Sequence, residues 1–266
     1  MRNLLRRLAS RHALFLGICA VLLAGFEYLV CAFVATFNVA GAVEQLVKSL
    51  PPLVQAVLGP QIAALLSPRG LVAFGWDHPV AQALGTAVAI VLAARAVAGE
   101  IEDGALELVL SQPVSRAEYL GAQALFGLGA LAGLSLAGCA GTTLGALAFG
   151  VDLGGAGGLL RLAGMFFLLQ AAWFGATLAA SAFGREGGRA AGIGFLLALV
   201  SYLGQAVGKL LPSAAFILPY CLHDYYEPRA ILLSGAVAGK SLAVLLGVAV
   251  AGLAVAFARF LRRDIP

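Results

Sequence analysis

Six long apolar runs, separated by short polar or charged stretches, set the hydropathy pattern of this chain. They fall at about 13–37, 78–98, 119–149, 159–183, 190–211 and 235–257. Each reaches the roughly 20 residues that a helix needs to cross the hydrocarbon of a bilayer. The pattern therefore predicts an all-α polytopic membrane protein with six transmembrane helices, a single transmembrane domain over residues 1–266. The first run is too long for the apolar core of a signal peptide, so it is read as a span although a basic segment precedes it.

The connections differ in character. Residues 1–11 carry Arg2, Arg6, Arg7 and Arg11 around Leu4, Leu5 and Leu8. As a helix they are basic on one face and leucine-lined on the other, which suits a membrane surface. In 41–77, Val43, Leu46, Val47 and Leu50 recur at helical spacing, Pro51-Pro52 break the run, and Leu53, Val54, Val57 and Leu58 resume it. Short amphipathic helices lying in the interface are expected there. Residues 212–234 form a second polar loop bearing Phe216, Tyr220, Tyr225 and Tyr226. An even number of spans puts both termini on one side, and 11 of the 17 Lys and Arg residues fall on that side against six on the other. The excess of basic residues marks the cytoplasmic side. Loops 41–77 and 212–234 then face outward, and segment 99–118 faces the cytosol.

Composition removes the main alternatives. At 61% hydrophobic and 11% charged, the chain is neither a soluble globular protein nor a disordered one. Six spans leave no room for a sizeable soluble domain. The net charge of +4 comes from short basic clusters at the ends of apolar runs, which reads as topology and not as a nucleic-acid face. The 34 Gly allow close helix packing. GxxxG pairs occur at Gly129/Gly133, Gly141/Gly145, Gly188/Gly192, Gly204/Gly208 and Gly235/Gly239. Chance alone supplies roughly four such pairs at this glycine content, so no dimer face follows from them. Cys19, Cys31, Cys139 and Cys221 are scattered, and suit small buried hydrophobes better than disulfides or a metal site.

Catalytic chemistry is sparse. The chain has no GxxxxGK[ST] phosphate cradle and no HExxH pair. Its three His (His12, His78, His223) sit at span boundaries, so no catalytic, cofactor-binding or metal-ligating residue is assigned. Ser135, between Gly133 and Gly138, lacks nucleophile-elbow spacing and reads as a packing residue. Glu27 is the one acid well inside a span, a possible intramembrane polar site. Two readings compete: a proton relay or cation site, or an acid that bonds a neighbouring helix, and the second weighs more. His223-Asp224-Tyr225-Tyr226-Glu227 could hold a cation, but interfacial Tyr beside acids is the usual membrane-border pattern.

The strongest signal is segment 99–118. Arg95, Glu100, Glu102, Asp103, Glu107, Arg116 and Glu118 are seven of the chain's 30 charged residues, with Leu106, Leu108, Val109 and Leu110 among them. Asp103-Gly104 breaks the helix of span two. Residues 107–110 can form a short helix ended by Pro113, and Ser115 can cap the helix of span three. The result is a charged, partly apolar knob, better explained as a docking element for a soluble partner than as a solvated connector.

At these residues the chain resembles the ABC-2-type permease family, the membrane subunits of ATP-driven transporters, mostly exporters. Glu100, Glu102, Gly104, Leu106, Glu107, Leu110, Pro113, Ser115 and Arg116 fall on the family's E-x-E-x-G-T-L-E-x-L-L-x-x-P-V-S-R pattern. Ala105 replaces its Thr, and Gln123 stands where a Lys often opens span three. The first outer loop, with Leu50-Pro51, Leu58-Gly59-Pro60, Pro68-Arg69-Gly70 and His78-Pro79, is similar to a family loop. So is the end, Phe260-Leu261-Arg262-Arg263-Asp264-Ile265.

The resemblance implies a permease without catalysis or cofactor of its own, ATP being bound by a separate ABC ATPase subunit. Segment 99–118 would be a coupling helix seated on that ATPase through Glu100, Glu102, Gly104, Glu107, Pro113, Ser115 and Arg116. Residues 1–11 would be an amphipathic connecting helix beside it. A second permease copy, identical or a sister chain, would complete the path in the inner (plasma) membrane. The alternative is a self-sufficient proton-coupled carrier or channel using Glu27, but no matched pair of broken helices supports one. An intramembrane enzyme lacks an acid/base constellation.

Overall fold

The computed structural model describes residues 2–36, 45, 48, 49, 51 and 62–263, and among them there is no strand. The chain opens with α1 (Arg2–Thr36), followed by α2 (Pro68–Asp77) and α3 (Pro79–Ala94). A π-helical turn (Arg95–Gly99) and one α-turn (Glu100–Glu102) continue α3, and α4 (Ala105–Leu110) is the short helix of the knob. Then come α5 (Arg116–Phe149), α6 (Ala156–Phe183) and α7 (Gly187–Leu210). Two 3₁₀ stretches (Pro212–Tyr220 and Leu222–Tyr225), α8 (Pro228–Ser234) and α9 (Gly239–Arg262) complete it. Among the described residues six helical segments are long and apolar enough to cross a membrane, so this is an all-α multi-pass membrane protein.

The expected connecting helix at 1–11 is not a separate element. It forms the first three turns of α1, because neither Pro nor Gly interrupts the chain before Gly17. At about 1.5 Å per residue the 35-residue helix exceeds 50 Å, well beyond the roughly 30 Å of hydrocarbon. Its basic start therefore projects past the core with Arg6 and Arg7 exposed and Leu8 buried.

Residues 68–77, expected within an interfacial loop, form α2 and join the core, with Val72, Ala73 and Trp76 fully buried. Pro68 and Pro79 start their helices, where a missing N–H costs nothing. The extended backbone of His78 (ψ 142°) is what a following proline imposes, and it separates α2 from α3. The amphipathic turns expected over 43–58 fall largely outside the described residues, as do Leu58-Gly59-Pro60 and the closing Asp264-Ile265.

α6 is the central helix, packed against α3, α5, α7, α8 and α9. Its aromatic residues Phe166, Trp173 and Phe174 are all buried. α1 lies along α5, and Gly141 and Gly145 make that approach possible. A Cβ on Gly145 would sit 2.8 Å from the Cβ of Cys31, and one on Gly141 would strike the backbone of Ala24. The pair Gly129/Gly133 has open space around it. The pair Gly204/Gly208 lies close to Cys221 and Leu218, so two GxxxG pairs serve internal contacts. Outward faces of α1, α7 and α9 carry exposed Leu, Val and Phe, such as Leu14, Phe195, Val200 and Leu246, which suits hydrocarbon. Cys19, Cys31 and Cys221 are buried free thiols, and Cys139 is half-buried.

Candidate coupling site at the basic end of the bundle

The knob is built by local backbone chemistry. Gly104 adopts φ +67°, a left-handed conformation that ends the Glu100–Glu102 turn and starts α4 at once. Ser115 caps α5: its hydroxyl accepts from the Glu118 N–H at 3.2 Å, and the Ser115 N–H donates to the Glu118 carboxylate at 2.9 Å. This reciprocal box pins the point where the knob returns to the bundle.

The knob is then tied to three other parts of the chain. Arg11 of α1 forms an ion pair with buried Glu100 and reaches Asp103 at 3.3 Å. Glu102 accepts the backbone N–H of Gly187 at 2.8 Å, placing a carboxylate on the N-terminus of α7. Arg116 donates to the carbonyl of Arg263, whose guanidinium donates to the carbonyls of Ala182 (2.9 Å) and Gly184 (2.7 Å) at the end of α6. Those carbonyls have no intrahelical donor, so Arg263 satisfies groups that the helix end leaves open.

The π turn above the knob is held in the same way. Ser181 of α6 donates to the Ala94 carbonyl at 2.9 Å and accepts from the Ala98 N–H at 2.9 Å. The Tyr119 hydroxyl donates to the Ala96 carbonyl at 2.8 Å and accepts from Gln123 at 2.9 Å. Side chains of α5 and α6 thus take up backbone groups that the wider turn releases.

These ties divide the expected coupling residues. Glu100, Glu102 and Arg116 bond to their own chain, Glu102 while still exposed, and Gly104 and Ser115 shape the backbone. Glu107 and Pro113 are exposed on the outer face. Beside them stands Leu108, 72% exposed, which the motif did not single out. Helical spacing carried the clue: buried Leu106 and Val109 share one face of α4, and Leu108 falls opposite. Arg11 and Arg263 had no such signal, since their partners lie 89 and 81 residues away.

Glu27 lies away from the knob and is fully buried. One oxygen is 3.5 Å from the Thr142 hydroxyl, which accepts from Trp76 Nε1 at 3.0 Å, and the other has no partner among the described residues. The polar chain continues through the Trp76 carbonyl to Gln82 (2.8 Å), Gln170 (3.3 Å) and Thr86 (3.1 Å), joining α1, α2, α3, α5 and α6. The Thr142 hydroxyl also lies 3.1 Å from the Gly138 carbonyl, so the contact of Glu27 to α5 is a long one that competes with a shorter bond. Ser135 returns its hydroxyl to the Leu131 carbonyl at 2.9 Å, a packing role.

The cluster at 223–227 is split up. His223 is buried between the rings of Trp173 and Tyr202, with Nδ1 3.1 Å from Ser201 Oγ. Burial pulls its imidazole down to about 4, so it is neutral at pH 7. Asp224 pairs with Lys209 at 3.3 Å, and Glu227 is exposed. Among the described residues no group of three or more His, Cys, Asp or Glu stands together as a metal site.

No curated protein matches the chain at a significant level. The family model described as ABC-2 family transporter protein matches residues 7–265, which takes in all six spans, the knob and its ties. A bundle of membrane helices with a tethered knob at one end is what such a match covers, and the chain belongs to the ABC-2 family of transporter proteins.

Proposed function

We propose that this chain is the membrane-spanning permease subunit of an ATP-driven exporter, and that it takes its motion from a separate ABC ATPase seated on α4. The observation that carries the reading is the two-sidedness of the knob. Its outer face presents Glu107, Leu108 and Pro113, while Glu100, Glu102 and Arg116 fasten the inner side to α1, the start of α7 and the end of α6. A force on the outer face reaches three helices at once, which suits a rigid-body switch between two states. An exposed leucine flanked by an acid also suits docking into a groove with an apolar floor and a basic rim.

Both termini and the knob then face the cytoplasm, the chain sits in the inner (plasma) membrane, and two permease copies form the path. ATP stays on the partner. The largely exposed apolar faces of α1, α7 and α9 leave surface for the second copy and for lipid. The test is co-purification of the tagged full-length chain with a P-loop ATPase, followed by Glu107→Lys combined with Leu108→Asp. Loss of ATPase retention and of stimulated hydrolysis, with the chain still folded, is the expected outcome. Transport that persists without any ATPase ends the proposal.

A further inference from the structure

The opposite end of the bundle holds a cavity of about 380 Å³, between the end of α2, the last turns of α7 and the start of α8. That is within the range of about 300–1,000 Å³ typical of small-molecule sites. Asp77, Tyr202, Lys209, Tyr226, Glu227 and Arg229 line it. Two features set it apart from an ordinary surface cleft.

First, buried polar atoms there are unsatisfied. Tyr226 is 1% exposed and among the described residues its hydroxyl has no hydrogen-bond partner; Arg229 Nε is likewise buried and unpartnered there. Such atoms are few in folded proteins, and each needs a reason. Burial also pushes the Tyr226 phenol well above its usual range, so it stays an O–H donor. Second, the charges are of both signs and only partly neutralised within the chain. Lys209 is engaged by Asp224, and the Arg229 guanidinium lies 5.5 Å from the centre of the Phe74 ring. Among the described residues Asp77 and Glu227 form no ion pair. Asp77 is half-buried and faces Lys209 and Arg229 across the cavity without pairing directly with either, while Glu227 is exposed at its edge.

We propose that this cavity recognises a small zwitterion carrying a primary ammonium beside a phosphate or carboxylate. Asp77 and Glu227 take the ammonium, while Arg229, Lys209 and the Tyr226 hydroxyl take the acid. Neither charge alone completes the site. A lone anion would meet two carboxylates, and a lone cation would meet a guanidinium and an ammonium. The site is remote from the knob, so recognition here does not depend on ATPase coupling and goes beyond the transport reading.

The probe is sn-glycero-3-phosphoethanolamine, titrated calorimetrically into the purified full-length chain in detergent. Saturable binding at one site is expected, with ethanolamine and glycerol 3-phosphate each at least about tenfold weaker. Asp77→Asn and Arg229→Gln should each weaken the zwitterion by about tenfold or more. Tyr226→Phe removes one oxygen, keeps the ring packing, and should weaken it about threefold or more. This last variant keeps the test open if the charge variants fold poorly. In phosphatidylethanolamine nanodiscs, loss of soluble-probe binding assigns the site to a lipid headgroup, and retained binding assigns it to a free zwitterion; both keep the recognition chemistry. Absence of saturable binding, equal binding of glycerol 3-phosphate, or affinity untouched by both Asp77→Asn and Tyr226→Phe overturns the proposal.

Discussion

The two ends of this bundle treat polar groups in opposite ways. At the basic end, the carbonyls left open by α6, the N-terminus of α7 and the released groups of the π turn all find side-chain partners from elsewhere in the chain. At the other end, among the described residues, a tyrosine hydroxyl and an arginine Nε are buried without partners beside two carboxylates, Asp77 and Glu227, that form no ion pair. Closed hydrogen-bond sets make an element rigid and able to pass on movement. Open sets mark a surface whose partners come from outside the chain. The contrast matches the two proposals, a coupling element at the basic end and a ligand cavity at the other.

Four measurements can break or sharpen this contrast. The largest effect is expected with pH, at the cavity end. His223 titrates near 4 when folded and near 6.5 when unfolded, so the unfolded state gains the proton first as pH falls. The His223 contribution is whole above about pH 6.5 and declines toward pH 4, by about 3 kcal/mol at pH 4. Melting at pH 7 and pH 4 should show this loss in the wild type and a smaller one in His223→Gln. An equal loss in both would move the pH sensitivity elsewhere.

Arg263→Ala comes next, at the basic end. It leaves the Ala182 and Gly184 carbonyls without their donors and should cost about 2 kcal/mol in denaturant unfolding. It should also reduce ATPase stimulation without touching the outer face of α4. A variant as stable as the wild type would mean that the tie is not a mechanical one.

Glu107→Lys with Leu108→Asp should act the other way round. Both residues are exposed, so stability should change by less than about 0.5 kcal/mol per site, while stimulated hydrolysis falls by about tenfold or more. Unchanged hydrolysis would remove the docking face from α4. The smallest effect is expected from Glu27→Gln, which replaces the carboxylate by a group of the same shape that can still bond Thr142. A stability change below about 1 kcal/mol and unaltered transport across pH would fit a bond between helices. A transport rate that loses its pH dependence would restore the proton-relay reading.

How far the molecule was legible in the sequence varied with the range of the interaction. The short helix of the knob, the break at Asp103-Gly104 and the Ser115 cap depend on neighbours within about four residues, and spacing alone predicted all three. The extent of α1 and the inclusion of α2 in the core were not legible. A basic start looks like a separate surface helix, and a loop after Pro51-Pro52 looks interfacial, until α5 and α1 are there to pack on. The acids of the motif all looked like contacts for a partner. Glu100 is buried against Arg11, and exposed Glu102 accepts the Gly187 N–H, partners about 90 positions away in the chain.

The sequence by itself determined that this chain lives in a bilayer, crosses it six times and concentrates its scarce charge in one knob. Those properties follow from hydropathy runs and local capping, which each segment carries alone. Only the tertiary structure decided which face of the knob is free and that Gly141/Gly145 is the pair closing α1 onto α5. It alone brought Asp77, Lys209, Tyr226 and Arg229 around one cavity. Each of these is a meeting of distant segments, and no periodicity along the chain encodes which segments will meet.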